Sequence, residues 1–328
     1  MSKSTALTEW AGRYRAPLYI LKRILSAIPT LLAVLTVIFF AIRTLPGDPA
    51  LAILGDTATD ASIAALREKL GLNMPIWRQY LDFLGGLLHG DLGSSLVYGR
   101  SVLSELLRVL PYTLSLTVSS IVIGTVIGIP LGIASALHRN RFIDYATRVF
   151  SLIGFSFPVF YAGIMLILIF AVWLPWFPVM SSSLDGSFLE KLRGLVLPAT
   201  AGSLGLIAMI TRASRSSLLD VMGDDYIRTA RAKGLTERTV LYRHALRNAL
   251  IPVVTVIGLY FALIIGNSVL IETVFTRPGL GSLIIGSLDN RDYPMVQGLL
   301  VAYAAIVIVT NILTDLTYSI IDPRIGRA

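Results

Sequence analysis

The sequence predicts an all-α, polytopic membrane protein with six transmembrane helices and both termini cytoplasmic. Three observations predict it. Of 328 residues, 55% are hydrophobic and 15% charged, against roughly 25% charged in ordinary soluble domains. The apolar residues gather in continuous runs, and about 20 such residues cross a bilayer as a helix. Alternating runs would point instead to a barrel, the other structure that satisfies its backbone in lipid. Finally, basic residues crowd into alternate loops, as expected of cytoplasmic segments.

The elements follow in order. A polar leader, residues 1–23, precedes a first transmembrane helix at 24–43, "ILSAIPTLLAVLTVIFFAIR". The leader and the apolar run are too long for a cleaved signal peptide, and no small-x-small site follows, so this helix is expected to be retained. Residues 44–111 form a structured external loop. Ser62 is placed to cap a helix running to Gly71. Pro75 suits the first position of the next helix. There Trp77, Tyr80, Leu81, Leu84, Leu87 and Leu88 recur at helical spacing and share one apolar face. Such a face lies on the membrane surface or the other spans, or it is a docking platform for an external partner. Residues 112–320 hold a core of five further spans, near 112–137, 149–172, 195–211, 251–271 and 296–318. The third carries Pro158 beside aromatic residues and is expected to kink. The fourth is weaker and opens near Pro198. A cytoplasmic tail, 321–328, ends the chain.

Loop charges give the orientation. Lys3, Arg13, Arg15, Lys22 and Arg23 stand against Glu9 in the leader. Arg139, Arg141 and Arg148 stand against Asp144 after the second span. After the fourth, 211–250 holds eight basic residues against Asp220, Asp224, Asp225 and Glu237. In the tail, Arg324 and Arg327 outnumber Asp322. The other three loops, 44–111, 173–194 and 272–295, are neutral or acidic. Six alternating helices put all the basic segments on one side, the cytoplasmic one.

Composition also narrows the function classes. There is no cysteine, hence no disulfide or thiolate metal site. His89, His138 and His244 are too scattered to form a metal pair. The net charge of +8 reads as basic cytoplasmic loops rather than a nucleic-acid surface. No Ser-His or paired-Asp constellation lies within the spans, so no catalytic residue is expected. A P-loop needs Gly-Lys followed by Ser or Thr, and no lysine here follows a glycine. A proton-coupled secondary carrier would need intramembrane acidic or histidine relays, and only Asp315 comes close.

The loop 211–250 is too charged for lipid, yet it reads as folded. Residues 224–233 look helical, and Gly234 supplies the positive φ that ends a helix. Thr236 then caps a second helix, "ERTVLYRHALRNAL", leading to Ile251 and Pro252. The result is a helix–turn–helix elbow across the cytoplasmic face, with Ala230 and Ala232 keeping its surface low.

The stretch "DYIRTARAKGLTERTVLYRHALRNALIP" resembles the coupling loop of bacterial ATP-binding-cassette import permeases. Arg228-Thr229-Ala230 departs from the family's general Glu-Ala-Ala run and is similar to its peptide/nickel branch. "LPGDPA" (45–50), "LGLNMPIWRQYLDFLGGLLHGDLGSS" (70–95), "ETVFTRPGLGSLI" (272–284), "NRDYPMVQG" (290–298) and "DPRIGR" (322–327) resemble that branch in order and spacing. The chain looks most like its dipeptide/oligopeptide B-type subunit.

The resemblance implies the type I importer architecture. It implies a permease forming half of a translocation path for dipeptides or oligopeptides in the bacterial inner membrane. Nickel chelates, glutathione and sugars are the alternative cargoes. The implied partners are a paralogous C-type permease subunit, two ATPase subunits that bind ATP and Mg, an external substrate-binding protein, and membrane lipid. No cofactor or metal is implied on this chain. Asp225, Tyr226, Arg228, Thr229, Ala230, Arg231, Ala232, Lys233, Gly234 and Leu235 are implied to couple to the ATPase. Asn267, Phe157 and Tyr161 are candidates for the translocation path, against helix packing as the alternative. Glu272, Arg277 and Asp289 are candidates for an outer gate or binding-protein contact, against a tight turn.

Overall fold

A computed structural model describes residues 25–44, 49–54, 58–69, 71–180 and 187–321. The described residues form helices and no named strand: α1 (Leu25–Thr44), α2 (Pro49–Leu54), α3 (Asp60–Lys69), α4 (Ile76–Leu88), α5 (Val102–Leu137), α6 (Phe142–Ser156), α7 (Val159–Ile167), α8 (Phe188–Met222), α9 (Asp225–Ala232), α10 (Glu237–Thr239), α11 (Leu246–Ala249), α12 (Ile251–Val274), α13 (Leu280–Asp289) and α14 (Tyr293–Ile321). Short π-helical stretches, Leu168–Trp173 and Val240–Ala245, continue α7 and join α10 to α11. Five helices are long and apolar enough to cross a membrane, and the pair Phe142–Ser156 and Val159–Trp173 makes a sixth span if taken together.

That pair corrects the expected single kinked helix. It bends by 103° at Phe157–Pro158. Proline has no N–H to continue the ladder and drives the residue before it out of the α region. Phe157 is accordingly extended, at φ −81 and ψ 130. The fourth span also differs: α8 runs 35 residues, and Pro198 lies inside it rather than at its start. Ser187 opens the helix through a capping box with Glu190. The Ser-x-x-Glu signature is legible in the sequence, but Glu190, Lys191 and Arg193 lower the local hydropathy and hide it.

The described residues divide into two compact units, one of those in 114–277 and 309–321, the other of those in 25–113 with Pro278–Ile308. In the first, α8 is central and packs against α6, α7 and α12. Its core joins Leu206, Ile210, Val253 and Ile264 in one cluster, and Leu116, Leu197, Ile271 and Phe275 in another. Gly124, Gly128 and Gly132 of α5 meet Leu206, Ile210 and Ser214 of α8 closely enough that an added Cβ would lie 2.5–2.8 Å away. Helix α5 therefore seats directly on α8, and Thr211 Oγ1 donates to the Gly128 carbonyl at 3.2 Å.

In the second unit, Val102, Leu106, Leu280, Met295 and Leu299 form the core. Helix α4 lies along α1. Tyr80 hydroxyl meets Thr36 Oγ1 at 2.6 Å, and the rings of Tyr80 and Phe83 stand 5.0 and 5.6 Å from that of buried Phe39. The expected single apolar face of α4 is split by this packing: Tyr80 turns to α1, while Trp77, Leu81 and Leu88 stay exposed. Two smaller corrections concern α3 and α4. Thr59, not Ser62, sits ahead of α3 and accepts from the Ser62 N–H at 3.3 Å. Pro75 occupies the N-cap, one place before the position expected. Gly71 does take the positive φ, 66°.

Candidate functional site

The elbow is built on the end of α8. Ile227 and Ala230 are the inward positions of α9, three residues apart and thus on one face. Both are buried with Val240, Leu241, Ala245 and Ala249 of the second arm, and with Ala136 of α5 and Leu218 of α8. The elbow thus shares a core with the spans instead of hanging from them. The turn behaves as its residues dictate. Gly234 has φ +77, a left-handed value that costs other residues roughly 1–2 kcal/mol. Its N–H donates to the Arg231 carbonyl at 2.9 Å, and that of Leu235 to the Ala230 carbonyl at 3.4 Å. The Thr236 hydroxyl then accepts from the Thr239 N–H at 3.4 Å and starts the second arm.

Side chains brace the two arms. Arg231 grips Glu237 through Nε–Oε1 at 2.7 Å and Nη2–Oε2 at 3.2 Å. Asn248 Nδ2 donates to the Tyr226 hydroxyl at 2.8 Å. The Arg231 guanidinium holds the Glu237 carboxyl below its ordinary value, with burial opposing it slightly. The sign follows: the brace is fully present above the ordinary carboxylate range and is lost as pH falls through the depressed value. Arg231→Gln should move the Glu237 titration upward, read from its carboxyl carbon by NMR; an unmoved titration would contradict the pairing.

Of the ten residues expected to couple, Ala230 faces inward and Arg231 braces the turn. Asp225, Arg228, Thr229, Ala232, Lys233 and Leu235 are exposed around the tip, with Tyr226 beside them. Arg228 and Asp225 make only a long, exposed pair at 3.4 Å. The expected low Ala surface is therefore half right, since Ala232 alone remains outside.

The remaining candidates are dispersed. Phe157 and Tyr161 stack in parallel at 5.6 Å beside the break ahead of α7, each about half exposed. Asn267 is exposed on α12. Glu272 is fully buried in the last turn of α12, and its carbonyl accepts from the Arg277 N–H at 2.8 Å. Buried Arg277 reaches Ser115 Oγ at 2.9 Å. Between them Thr276 takes φ +48, a strained value for a β-branched residue. Asp289 ends α13 in the other unit and is exposed. The Asp315 side chain, the leader and the tail from 322 lie outside the described residues. Among the described residues, no group of three His, Asp or Glu could hold a metal ion.

Two carboxylates escaped the sequence reading. Asp292 is buried ahead of α14 and receives the Ser95 hydroxyl and the N–H groups of Leu96, Val97 and Met295. An Asp before a helix with proline in its first turn is a readable cap. Asp144 is buried at the start of α6 and held by Arg215, Arg148, Ser135 and the Asn140 N–H. No local signal joins it to Arg215.

Comparison with known proteins identifies the family. Residues 128–327 match the family model of the binding-protein-dependent transport system inner membrane component, and residues 18–117 match that of the N-terminal part of such membrane components. The chain belongs to this family. The permease is 41% identical over 308 residues to the probable peptide ABC transporter permease protein y4tP of Sinorhizobium fredii, covering 94% of this chain and 98% of the relative. It is 41% identical over 311 residues to the oligopeptide transport system permease protein AppB of Bacillus subtilis, at the same coverage. The glutathione transport system permease protein GsiC of Salmonella choleraesuis is 40% identical over 308 residues, again covering 94% and 98%. Among solved structures, one of the inward-facing MetNI methionine ABC transporter aligns at a TM-score of 0.55 and 19% identity, over 66% of this chain and 96% of that one; it shows the shared fold. The permease is thus an inner-membrane transport component rather than an enzyme. A transport system dependent on a binding protein implies a binding protein and an energising partner.

Proposed function

We propose that the chain is one transmembrane subunit of an ATP-driven importer and forms half of the path for dipeptides or oligopeptides. An external binding protein delivers the cargo. A paralogous C-type subunit supplies the other half, and two ATPases bind ATP and Mg at the cytoplasmic face. Both termini and the loop 212–250 lie on that face, and 44–111 lies outside. The peptide permeases named above support the cargo, and the glutathione permease supports a small peptide-like thiol as the second reading.

The observation that carries the reading is the folded elbow. Its core runs through Ile227 and Ala230 into Ala136 and Leu218, so a push on the tip is delivered to α5 and α8. Binding of ATP by the partners would favour one of two conformations of the spans and hydrolysis would return them, which is transport by differential affinity for two states. Asp225, Arg228, Thr229, Ala232, Lys233 and Leu235 are the contact residues, and Gly234 sets the angle between the arms. Asn267, Phe157 and Tyr161 line the path, and Glu272, Arg277 and Asp289 serve the outer gate or the binding-protein contact.

The test is a complete transporter reconstituted in vesicles, assayed for ATP hydrolysis and uptake of a panel of short peptides. A Cβ at Gly234 meets no other atom, so Gly234→Val acts through backbone strain alone. It should leave the spans folded and lower uptake per ATP hydrolysed, while Gly234→Asn, which tolerates the left-handed region, stays near wild type. Normal transport by Gly234→Val means that the turn is not a lever.

A further inference from the structure

The unit of residues 25–113 and Pro278–Ile308 contains a cavity of about 980 Å³. Small-ligand sites occupy roughly 300–1,000 Å³. It is lined by the end of α1, Arg67 of α3, the turn before α4, one face of α4, the segment 91–96 and the start of α14. Its charges are the informative part.

Arg43 stands in the wall with only neutral acceptors around it among the described residues. Its Nε and Nη2 donate to Gln79 Oε1 at 3.1 and 3.0 Å. Its Nη1 makes two long bonds of 3.4 Å, to the Phe39 carbonyl and to Gln297 Oε1. The guanidinium lies 3.5 Å over the Phe39 ring. Among the described residues no carboxylate pairs with it. Gln79 is itself pinned, since its Nε2 donates to the Met74 carbonyl at 2.8 Å and the Leu72 carbonyl at 3.3 Å. The cation is therefore held in place by a fixed amide and a ring. A carboxylate can meet a guanidinium with two parallel charge-assisted bonds, and the Nη1 edge, with its long contacts to neutral oxygens, is open to such an exchange.

One turn along α4 from Gln79 is Asp82, on the same cavity wall. Among the described residues its carboxylate makes no hydrogen bond and no ion pair. The other carboxylate of the wall, Asp91, is already engaged by the Gly93 N–H at 2.8 Å. Positions three apart on a helix have Cβ atoms about 5–6 Å apart. Arg43, with no carboxylate partner among the described residues, and Asp82, with no cation partner among them, thus line one cavity together with Arg67 of α3; two or three extended residues span about 7–10 Å.

We propose that this cavity is a peptide subsite in the permease itself. It takes a short zwitterionic peptide, with the terminal carboxylate on Arg43 and the terminal ammonium on Asp82. Met74 and Phe83 supply side-chain-tolerant walls, since thioether and aromatic surfaces adapt to varied shapes. The subsite rests on the peptide-import reading and adds to it a place where the permease, and not only its binding protein, checks for free termini.

The test uses the full chain in lipid nanodiscs without partners or ATP, titrated calorimetrically with Ala-Ala-Ala. Saturable binding is expected, with affinity at least tenfold weaker for the C-terminal amide and for the N-acetyl peptide. Arg43→Gln should erase the preference for a free carboxylate, and Asp82→Asn, on an exposed residue, the preference for a free amine. The blocked peptides need no variant, so a folding defect in Arg43→Gln does not decide the matter. Absence of binding overturns the subsite, and so does equal binding of blocked peptides or unchanged preferences in both variants. ATP-dependent peptide uptake by the complete transporter reads the functional assignment separately. Uptake without binding to the isolated chain overturns only the subsite. Selective binding without uptake overturns only the peptide-import reading.

Discussion

Gly132→Val should cost at least about 3 kcal/mol, the upper part of the range for overpacking, and leave little folded protein. A Cβ at Gly132 would stand 2.5 Å from Ser214 Cβ and 2.7 Å from the Thr211 carbonyl. The second contact is backbone, so no rotamer change relieves it. Gly128 and Gly124, one and two turns back, meet Ile210 Cβ at 2.8 Å and Leu206 Cδ2 at 2.7 Å. Residues at i, i+4 and i+8 line one face of a helix, and small residues at that spacing let two membrane helices approach until their backbones touch. In lipid this packing replaces the hydrophobic drive that holds soluble helices together, so its loss has no substitute. Thermal unfolding of the purified permease in detergent measures the effect. Gly286→Ala is the control: an added Cβ there meets nothing within 4 Å, and helical alanine is favoured over glycine by about 0.5–1 kcal/mol. A wild-type melting curve for Gly132→Val would mean that α5 and α8 do not touch as described.

What was readable in the sequence follows the range of the forces involved. The spans are a local property: a run of apolar residues is its own evidence, and each expected span overlaps a helix or the bent pair. Gly234 was readable because positive φ selects glycine whatever surrounds it. Pro158 announced a kink, yet its size was hidden, because a proline permits a break and the packing of α7 against α8 and α12 decides the angle. The glycines of α5 show their spacing openly but not their partner. The π-helical stretch at Val240–Ala245 carries no composition signal, and the sequence reads through it as plain helix. Arg43 and Gln79 looked unremarkable because their meaning lies in what is missing beside them among the described residues, a carboxylate, and only three dimensions display that. The conformation of the elbow was accessible, because its glycine turn and its Thr236 cap are local.

Asp144→Ala is the other substitution with a large expected effect, about 3–5 kcal/mol, the range for removing one partner of a buried ion pair. Asp144 is fully buried, and the side chains of Arg215 and Arg148 are 22% and 46% exposed, so Arg215 has the less water to fall back on. The carboxylate receives Arg215 Nε at 2.7 Å and Nη2 at 3.0 Å, Arg148 Nε at 3.1 Å, Ser135 Oγ at 2.7 Å and the Asn140 N–H at 2.9 Å. It is the only shared acceptor in this set, so removing it strands two guanidiniums of like charge beside each other. Arg215→Ala should cost less, because Arg148 still neutralises the carboxylate. In the double variant Asp144→Ala/Arg215→Ala the more buried of the two stranded guanidiniums is gone, so its loss should fall short of the sum of the singles by more than about 1 kcal/mol, as coupled neighbours do. Additive losses in thermal unfolding would show that the pair does not act as a unit. The consequence reaches the proposed lever. Ser135 is next to Ala136, and Arg215 is one turn from Leu218, the two span residues that enter the elbow core. Asp144 therefore ties the ends of α5, α6 and α8 together where the elbow is seated. The proposed complete transporter, carrying a variant that stays folded but loosens this tie, should hydrolyse ATP at the normal rate and transport less per turnover, whereas a tie that serves stability alone would leave that ratio unchanged.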